Sequence, residues 1–215
     1  MTQRDAIVKI CGLSSPETLA AAIEAGADMA GFVFFEKSPR HIDLESARTL
    51  GLLAQQQISK VALTVDADDA TLQDIVSALA PDYLQLHGKE MPARVAEVKA
   101  RFGLPVIKAV GVATAGDVEA ARFYEGVADV ILFDAKPAPN AAVPGGAGVA
   151  FDWNLLRGVA AKDWMLSGGL DPENVAAAMR ITGAHAVDVS SGVERERGVK
   201  DVAKIAAFVA AARLS

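Results

Sequence analysis

The sequence predicts an α/β fold, a single-domain (β/α)8 TIM barrel, and three observations carry that expectation. Short apolar runs alternate with helix-length segments along 215 residues, roughly 27 per unit, at the short end for an eightfold barrel. The runs are β-branched and mostly apolar on both faces, as parallel strands covered on both sides must be. No linker or low-complexity stretch interrupts the alternation, so residues 1–215 read as one closed barrel domain. The alternative, an open doubly wound sheet, would carry G-x-G-x-x-G after its first strand, where CGLSSPE stands instead.

Each element has its own signal. IVKIC (7–11) reads as the first strand, followed by a helix from Pro16 to Ala25, with Ser15 as N-cap and Gly26 as stop. AGFVFF (30–35) leads to a helix over 44–56, and KVALTV (60–65) to one over 70–79. YLQLH (83–87) precedes a helix over 92–102, and PVIKAV (105–110) one over 114–124. DVILFD (129–134) runs into a long loop and then FDWNLL (151–156). DWMLSG (163–168) leads into PENVAAAMR, and AVDVSS (186–191) into a last helix over 201–213.

Composition narrows the function. The chain is 52% hydrophobic and 22% charged, enough apolar material for a sizeable core and the opposite of a disordered composition. No apolar run is long enough to span a bilayer, and MTQRDAIVKI lacks the apolar stretch of a signal peptide. A cytoplasmic protein with no membrane partner is expected. One cysteine and three scattered histidines offer neither an internal disulfide nor a zinc pattern. A net charge of −6 with dispersed Lys and Arg argues against a nucleic-acid surface. A small phosphorylated molecule remains compatible, since a local pocket of donors suffices to bind it.

In this fold the chemistry stands at the C-terminal ends of the strands. SGGL before DPENV, and VDVSSGVE one unit later, place small, amide-rich residues before expected helix starts. Two such loops at neighbouring strand ends, after strands 7 and 8, favour a phosphate site over a pair of tight turns. Cys11 is either a small buried hydrophobe or a base at the mouth. Asp134 either lines the mouth or caps the next loop. Arg40, after KSP, is either solvated or turned with its planar fork toward a carboxylate. His87 is a hydrogen-bonding wall residue or an acid or base. Asp188, inside a strand, must be paired or face the mouth.

Those residues carry a resemblance. KICG (9–12), GFVFFEKSPRHI (31–42), LQLHG (84–88), Asp134, PGGAGVAFDW (144–153), LSGGLDPENV (166–175) and VDVSSGVE (187–194) resemble the phosphoribosylanthranilate isomerase family along the whole chain, in order. The resemblance implies an Amadori rearrangement of N-(5-phosphoribosyl)anthranilate to 1-(2-carboxyphenylamino)-1-deoxyribulose 5-phosphate, in tryptophan biosynthesis. It implies Cys11 as general base, Asp134 as general acid and Arg40 on the anthranilate carboxylate. It puts the phosphate on the amides of Gly168, Gly169, Ser190, Ser191 and Gly192, with no metal or organic cofactor. His87 and Asp188 complete the expected substrate-binding set. Ala135 and Ala147 stand where many relatives have Thr or Ser, and Asp66 where Asn is common.

The chemistry needs a proton delivered to the furanose oxygen, to open the ring to an imine, and a C2 proton removed, to give the enolamine. Asp134 must therefore start protonated, and the Cys11 thiol is expected to fall below its ordinary value of about 8.5, helped by nearby helix ends. The alternatives are a related sugar-phosphate isomerase or epimerase and a non-catalytic barrel that binds a phosphometabolite. A two-phosphate substrate would need an anion loop where TVDADD offers acids instead. A monomer is expected rather than a homodimer, because no apolar loop tip stands out.

Overall fold

The computed structural model describes residues 6–136, 151–159, 161 and 163–214. Eight strands run parallel in the order β1 (Ile7–Cys11), β2 (Met29–Phe34), β3 (Ser59–Thr64), β4 (Tyr83–Leu86), β5 (Val106–Val112), β6 (Val130–Ala135), β7 (Trp164–Leu166) and β8 (Ala186–Val189). Pairing of β1 with β8 closes them into a barrel. The strand order puts β6, β7, β8, β1 and β2 side by side, the arc on which the expected acid, anion loops, base and arginine stand.

The helices between them are α1 (Pro16–Glu24), α2 (Leu44–Ala54), α3 (Asp69–Leu79), α4 (Pro92–Phe102), α5 (Ala115–Ala120), α6 (Val175–Thr182) and α7 (Val202–Arg213). Ser15 caps α1 as expected, its Oγ accepting from the Thr18 N–H. Pro92 opens α4, and Gly103 ends it in the left-handed region at φ 65°.

Three sequence expectations change. Among the described residues the sixth unit has no α-helix after β6. It has a 3-10 turn over Trp153–Leu156, capped by Asp152, while residues 137–150 lie outside the described set. The segment expected as a helix over 114–124 tightens to 3-10 geometry after Ala120. After β8 the chain does not enter a helix directly. It makes a short 3-10 turn, Ser191–Val193, then an antiparallel hairpin of β9 (Glu194–Glu196) and β10 (Val199–Lys200), and only then α7.

Strand alternation sorts the barrel into two apolar layers. Val8, Ile10, Ala30, Phe32, Leu84 and Leu86 face the helices. Met29, Val61, Ile107, Leu132, Met165 and Ala186 fill the lower interior. Above them the interior turns polar, with Lys9, Gln85, Ser167 and Asp188 all buried.

At the opposite end of the barrel three aspartates, each just before a strand, close the sheet. Asp28, Asp82 and Asp129 accept from the N–H groups of Val8, Lys60 and Val106 at 2.7, 2.7 and 2.8 Å. That face serves stability and leaves the mouth to chemistry.

Candidate active site

Cys11 ends β1 with its sulfur in the barrel, buried against Val33 and Leu63. Gly12 follows at φ 79°, and a Cβ there would stand 2.6 Å from Cδ of Arg40. Glycine is therefore required on two counts, backbone angle and the passage of Arg40 beside Cys11.

Arg40 is not solvated. It is buried and forks onto Glu194, with Nε donating to Oε1 at 2.6 Å and Nη2 to Oε2 at 2.9 Å. Lys200 joins from β10, 2.9 Å from Glu194 Oε1, and also donates to the carbonyl and hydroxyl of Ser190 at 2.8 and 3.2 Å. Burial pushes the Glu194 carboxyl up, but Arg40, Lys200 and the Gly198 N–H overcome it and hold the group at about 2. The ammonium of Lys200 is lowered, chiefly by burial, with Glu194 opposing.

Beneath Cys11, Lys9 is wholly buried and donates to Asp188 Oδ1 at 2.8 Å, while Ser167 Oγ donates to Asp188 Oδ2 at 3.3 Å. Asp188 is thus paired with a lysine rather than open to the mouth. The expected fall of the Cys11 thiol is reversed. Burial pushes the thiol up and outweighs the downward pull of Lys9 and Lys200, with Asp188 adding to the rise. The physical reason is desolvation, which a reading based on nearby helix ends leaves out.

Across the mouth, Asp134 is buried near the end of β6. Its Oδ1 accepts from the Ala135 N–H at 2.8 Å, and its Oδ2 lies 3.3 Å from His87 Nε2. On the other ring nitrogen, Gln85 Nε2 stands 3.0 Å from His87 Nδ1, which leaves Gln85 Oε1 buried without a hydrogen-bond partner among the described residues.

The loop bearing His87 is clamped from below. Lys108 Nζ donates to the Gly88 carbonyl and to Glu90 Oε2, both at 2.8 Å, and Glu90 Oε1 accepts from the Asp66 N–H at 2.9 Å. Asp66 itself sits at φ 51°, a left-handed angle that Asp and Asn tolerate, and its Oδ1 accepts from the Lys89 N–H at 2.7 Å.

Between these two sides lie the expected anion loops. Gly168 and Gly169 follow β7 at φ 86° and 67°, and Gly168 passes beside Asp134. Ser190, Ser191 and Gly192 follow β8, with Ser191 and Gly192 in the 3-10 turn. A Cβ on Gly192 would lie 1.9 Å from the Leu170 carbonyl oxygen, so glycine there is what lets the two loops pack together. Every expected site residue therefore stands at the barrel mouth or directly beneath it.

The supporting residues Lys9, Glu90, Lys108, Glu194 and Lys200 are not among those the sequence singles out. Lys9 has a signal, since it shares the inward face of β1 with Cys11 two residues on. The others pair across sequence separations that no local pattern displays.

Comparison with known proteins agrees with this geometry. The family described as PRAI: N-(5'phosphoribosyl)anthranilate (PRA) isomerase matches residues 8–211. The N-(5'-phosphoribosyl)anthranilate isomerase of Nitrobacter hamburgensis is 59% identical over 208 residues, covering 96% of this chain and 92% of that protein. A crystal structure of mutually generated monomers of dimeric phosphoribosylanthranilate isomerase from Thermotoga maritima superposes with a TM-score of 0.84 at 35% identity, covering 98% of this chain and 100% of that one. A second crystal structure, of phosphoribosyl anthranilate isomerase in complex with reduced 1-(o-carboxyphenylamino)-1-deoxyribulose 5-phosphate, gives a TM-score of 0.85 at 35% identity with the same coverage. A match over nearly all of the chain, on a barrel whose mouth holds the family's motifs in order, leaves one assignment: this chain belongs to the phosphoribosylanthranilate isomerase family.

Proposed function

We propose that the two sides of the mouth divide the work of the family's reaction, with Asp134 delivering a proton and Cys11 removing one. The chain isomerises N-(5'-phosphoribosyl)anthranilate to the corresponding carboxyphenylamino-deoxyribulose phosphate, a step of tryptophan biosynthesis. The observation that carries the division of roles is the separation of two buried polar systems. Asp134 shares its site with a histidine, and Cys11 with two lysines.

The substrate phosphate lies on the backbone of Gly168, Gly169 and Ser190–Gly192, midway along the arc between acid and base. Arg40 takes the anthranilate carboxylate while Glu194, neutralised by Lys200 and the Gly198 N–H, holds the guanidinium in place. The proton for the furanose oxygen is held between Asp134 and His87. With the Gln85 amide turned over, its orphaned Oε1 accepts an Nδ1 proton from His87, Nε2 becomes an acceptor, and Asp134 keeps a proton on Oδ2. After ring opening, the Cys11 sulfur takes the C2 proton. Acid and base of this kind each contribute about 100- to 10,000-fold.

The enzyme works in the cytoplasm in this reading, in keeping with a buried free thiol, and among the described residues no helix is long and apolar enough to cross a membrane. It works as a monomer in this reading, since among the described residues the exposed large apolar side chains are spread over several elements, with Leu52 and Leu53 on α2, Phe123 on the turn after α5 and Val202 and Leu214 at the two ends of α7. Growth without tryptophan of a strain lacking its own isomerase, on receiving this gene, tests the function; no growth despite soluble expression contradicts it.

Two smaller predictions belong here. Among the described residues no three His, Cys, Asp or Glu side chains are grouped to hold a metal, so dialysis against a chelator is expected to leave turnover unchanged. Loss of activity restored by zinc or iron would favour an epimerase-like reaction. Arg40→Ala is expected to weaken binding of anthranilate-bearing ligands by about 1.5–3 kcal/mol, the range for hydrogen bonds to charged groups, and to leave a plain phosphosugar nearly unaffected. Titration calorimetry with both ligands checks this, and equal losses would put Arg40 at the phosphate.

A further inference from the structure

Cys11 sits in a ring of charge that its own strand and four other segments supply. Lys9 comes from β1, Asp188 from β8, Glu194 from β9, Lys200 from β10, and Arg40 from the loop after β2. On the inward face of β2, Met29, Gly31 and Val33 contribute no ionisable group. The ring pairs three cations, Lys9, Lys200 and Arg40, with two carboxylates, Asp188 and Glu194.

The approach of Lys9 to the sulfur is specific. Lys9 and Cys11 are two residues apart on one face of β1, so the ammonium that donates to Asp188 lies on the same side of the strand as the sulfur. Their meeting depends on the partner strand. Gly31 pairs with Cys11 in register, and a Cβ on it would lie 3.0 Å from the sulfur and 3.1 Å from Lys9 Nζ. Any larger residue at position 31 would wedge into the space where the two groups approach.

We propose that Lys9 is a positioning residue for catalysis: fixed by Asp188, its ammonium stands beside the Cys11 sulfur and favours the anionic form that accepts the C2 proton against the burial that opposes it. The proposal rests on Cys11 being the base. Its chemistry is a single proton transfer, in which the C2–H bond breaks, an S–H bond forms, and the electron pair left on C2 becomes part of the enolamine double bond. Lys9 keeps its own proton throughout. Burial alone would lower that ammonium, but Asp188 and the sulfur more than compensate and leave it raised. Asp188 therefore acts on the thiol twice, favourably by anchoring Lys9 and unfavourably through its own charge.

That opposition supplies the test. Cys11 is the only cysteine in the sequence, so the ultraviolet absorbance of thiolate, blanked against Cys11→Ser, titrates one group. Lys9→Met is expected to raise the midpoint by about one pH unit or more, and Asp188→Asn, which keeps the lysine, to lower it by a similar amount. A role confined to packing would move both variants alike or neither, and either result overturns the proposal. Should Lys9→Met fail to fold, Lys9→Gln, which keeps a polar head for Asp188, is titrated in its place, and a midpoint that stays or falls sinks the idea. The acidic limb of kcat/KM is measured on the same proteins. Midpoints that move in opposite directions while that limb stays fixed would uphold the pairing of Lys9 with Cys11 and remove Cys11 as the base.

Discussion

Cys11→Ser is expected to lower kcat by about 100- to 10,000-fold while leaving phosphate binding nearly intact. Serine is close to isosteric and still offers an oxygen to the Lys9 ammonium, so the buried ion pair with Asp188 keeps its setting. A serine hydroxyl, however, gives up its proton far less readily than a thiol, and a neighbouring ammonium is too little to offset that difference. The phosphate loops follow β7 and β8 and pack on each other through Gly192 and Leu170, without Cys11. Steady-state rates together with product-binding titrations separate the two effects. A near-normal kcat would return Cys11 to the role of a small buried hydrophobe.

Asp134→Asn is expected to cost a comparable factor, with a different signature in pH. A general acid loses function as pH rises, and that signature is what Asp134→Asn is expected to remove. A base must be deprotonated, so Cys11 in that role sets a limb that falls as pH falls. Since burial raises the thiol above its ordinary value, that limb is expected on the alkaline side of an ordinary cysteine. Asparagine has no proton to lose, so the residual activity of the variant should rise with pH to a plateau with no descending limb. The oxygen of the introduced asparagine can still accept from the Ala135 N–H, and its amide N–H can donate to His87 Nε2 where the carboxyl proton did, so the fold around it should hold. A descending limb unchanged in the variant would assign it to another group.

The fold was legible in the sequence because each unit carried its own punctuation. α4 is the clearest instance, with Pro92 and Gly103 bracketing the segment that folds as a helix. The mouth residues were legible too, since strand ends are where a parallel barrel exposes side chains. What escaped was long-range pairing. The sequence reading assigns no element to ERERGVK, yet it forms the β9–β10 hairpin because Glu194 and Lys200 bury their charges against Arg40, which lies 154 residues away from Glu194. Lys9 shares the inward face of β1 with Cys11, but its partner shows only when β8 brings Asp188 beside it. The direction of the thiol's shift escaped for the same reason. Helix starts are visible in a sequence, but the depth at which a side chain lies is set by the whole barrel.

Turnover by the purified chain is the decisive measurement for a barrel that divides acid and base between Asp134 and Cys11. Wild-type protein and the double variant Cys11→Ser/Asp134→Asn are each given N-(5'-phosphoribosyl)anthranilate, and product binding is titrated on the same preparations. Catalysis by the wild type alone, with similar product affinity in both, is the predicted result. Wild-type protein that binds product but forms none, or a double variant that turns over at the wild-type rate, would contradict it.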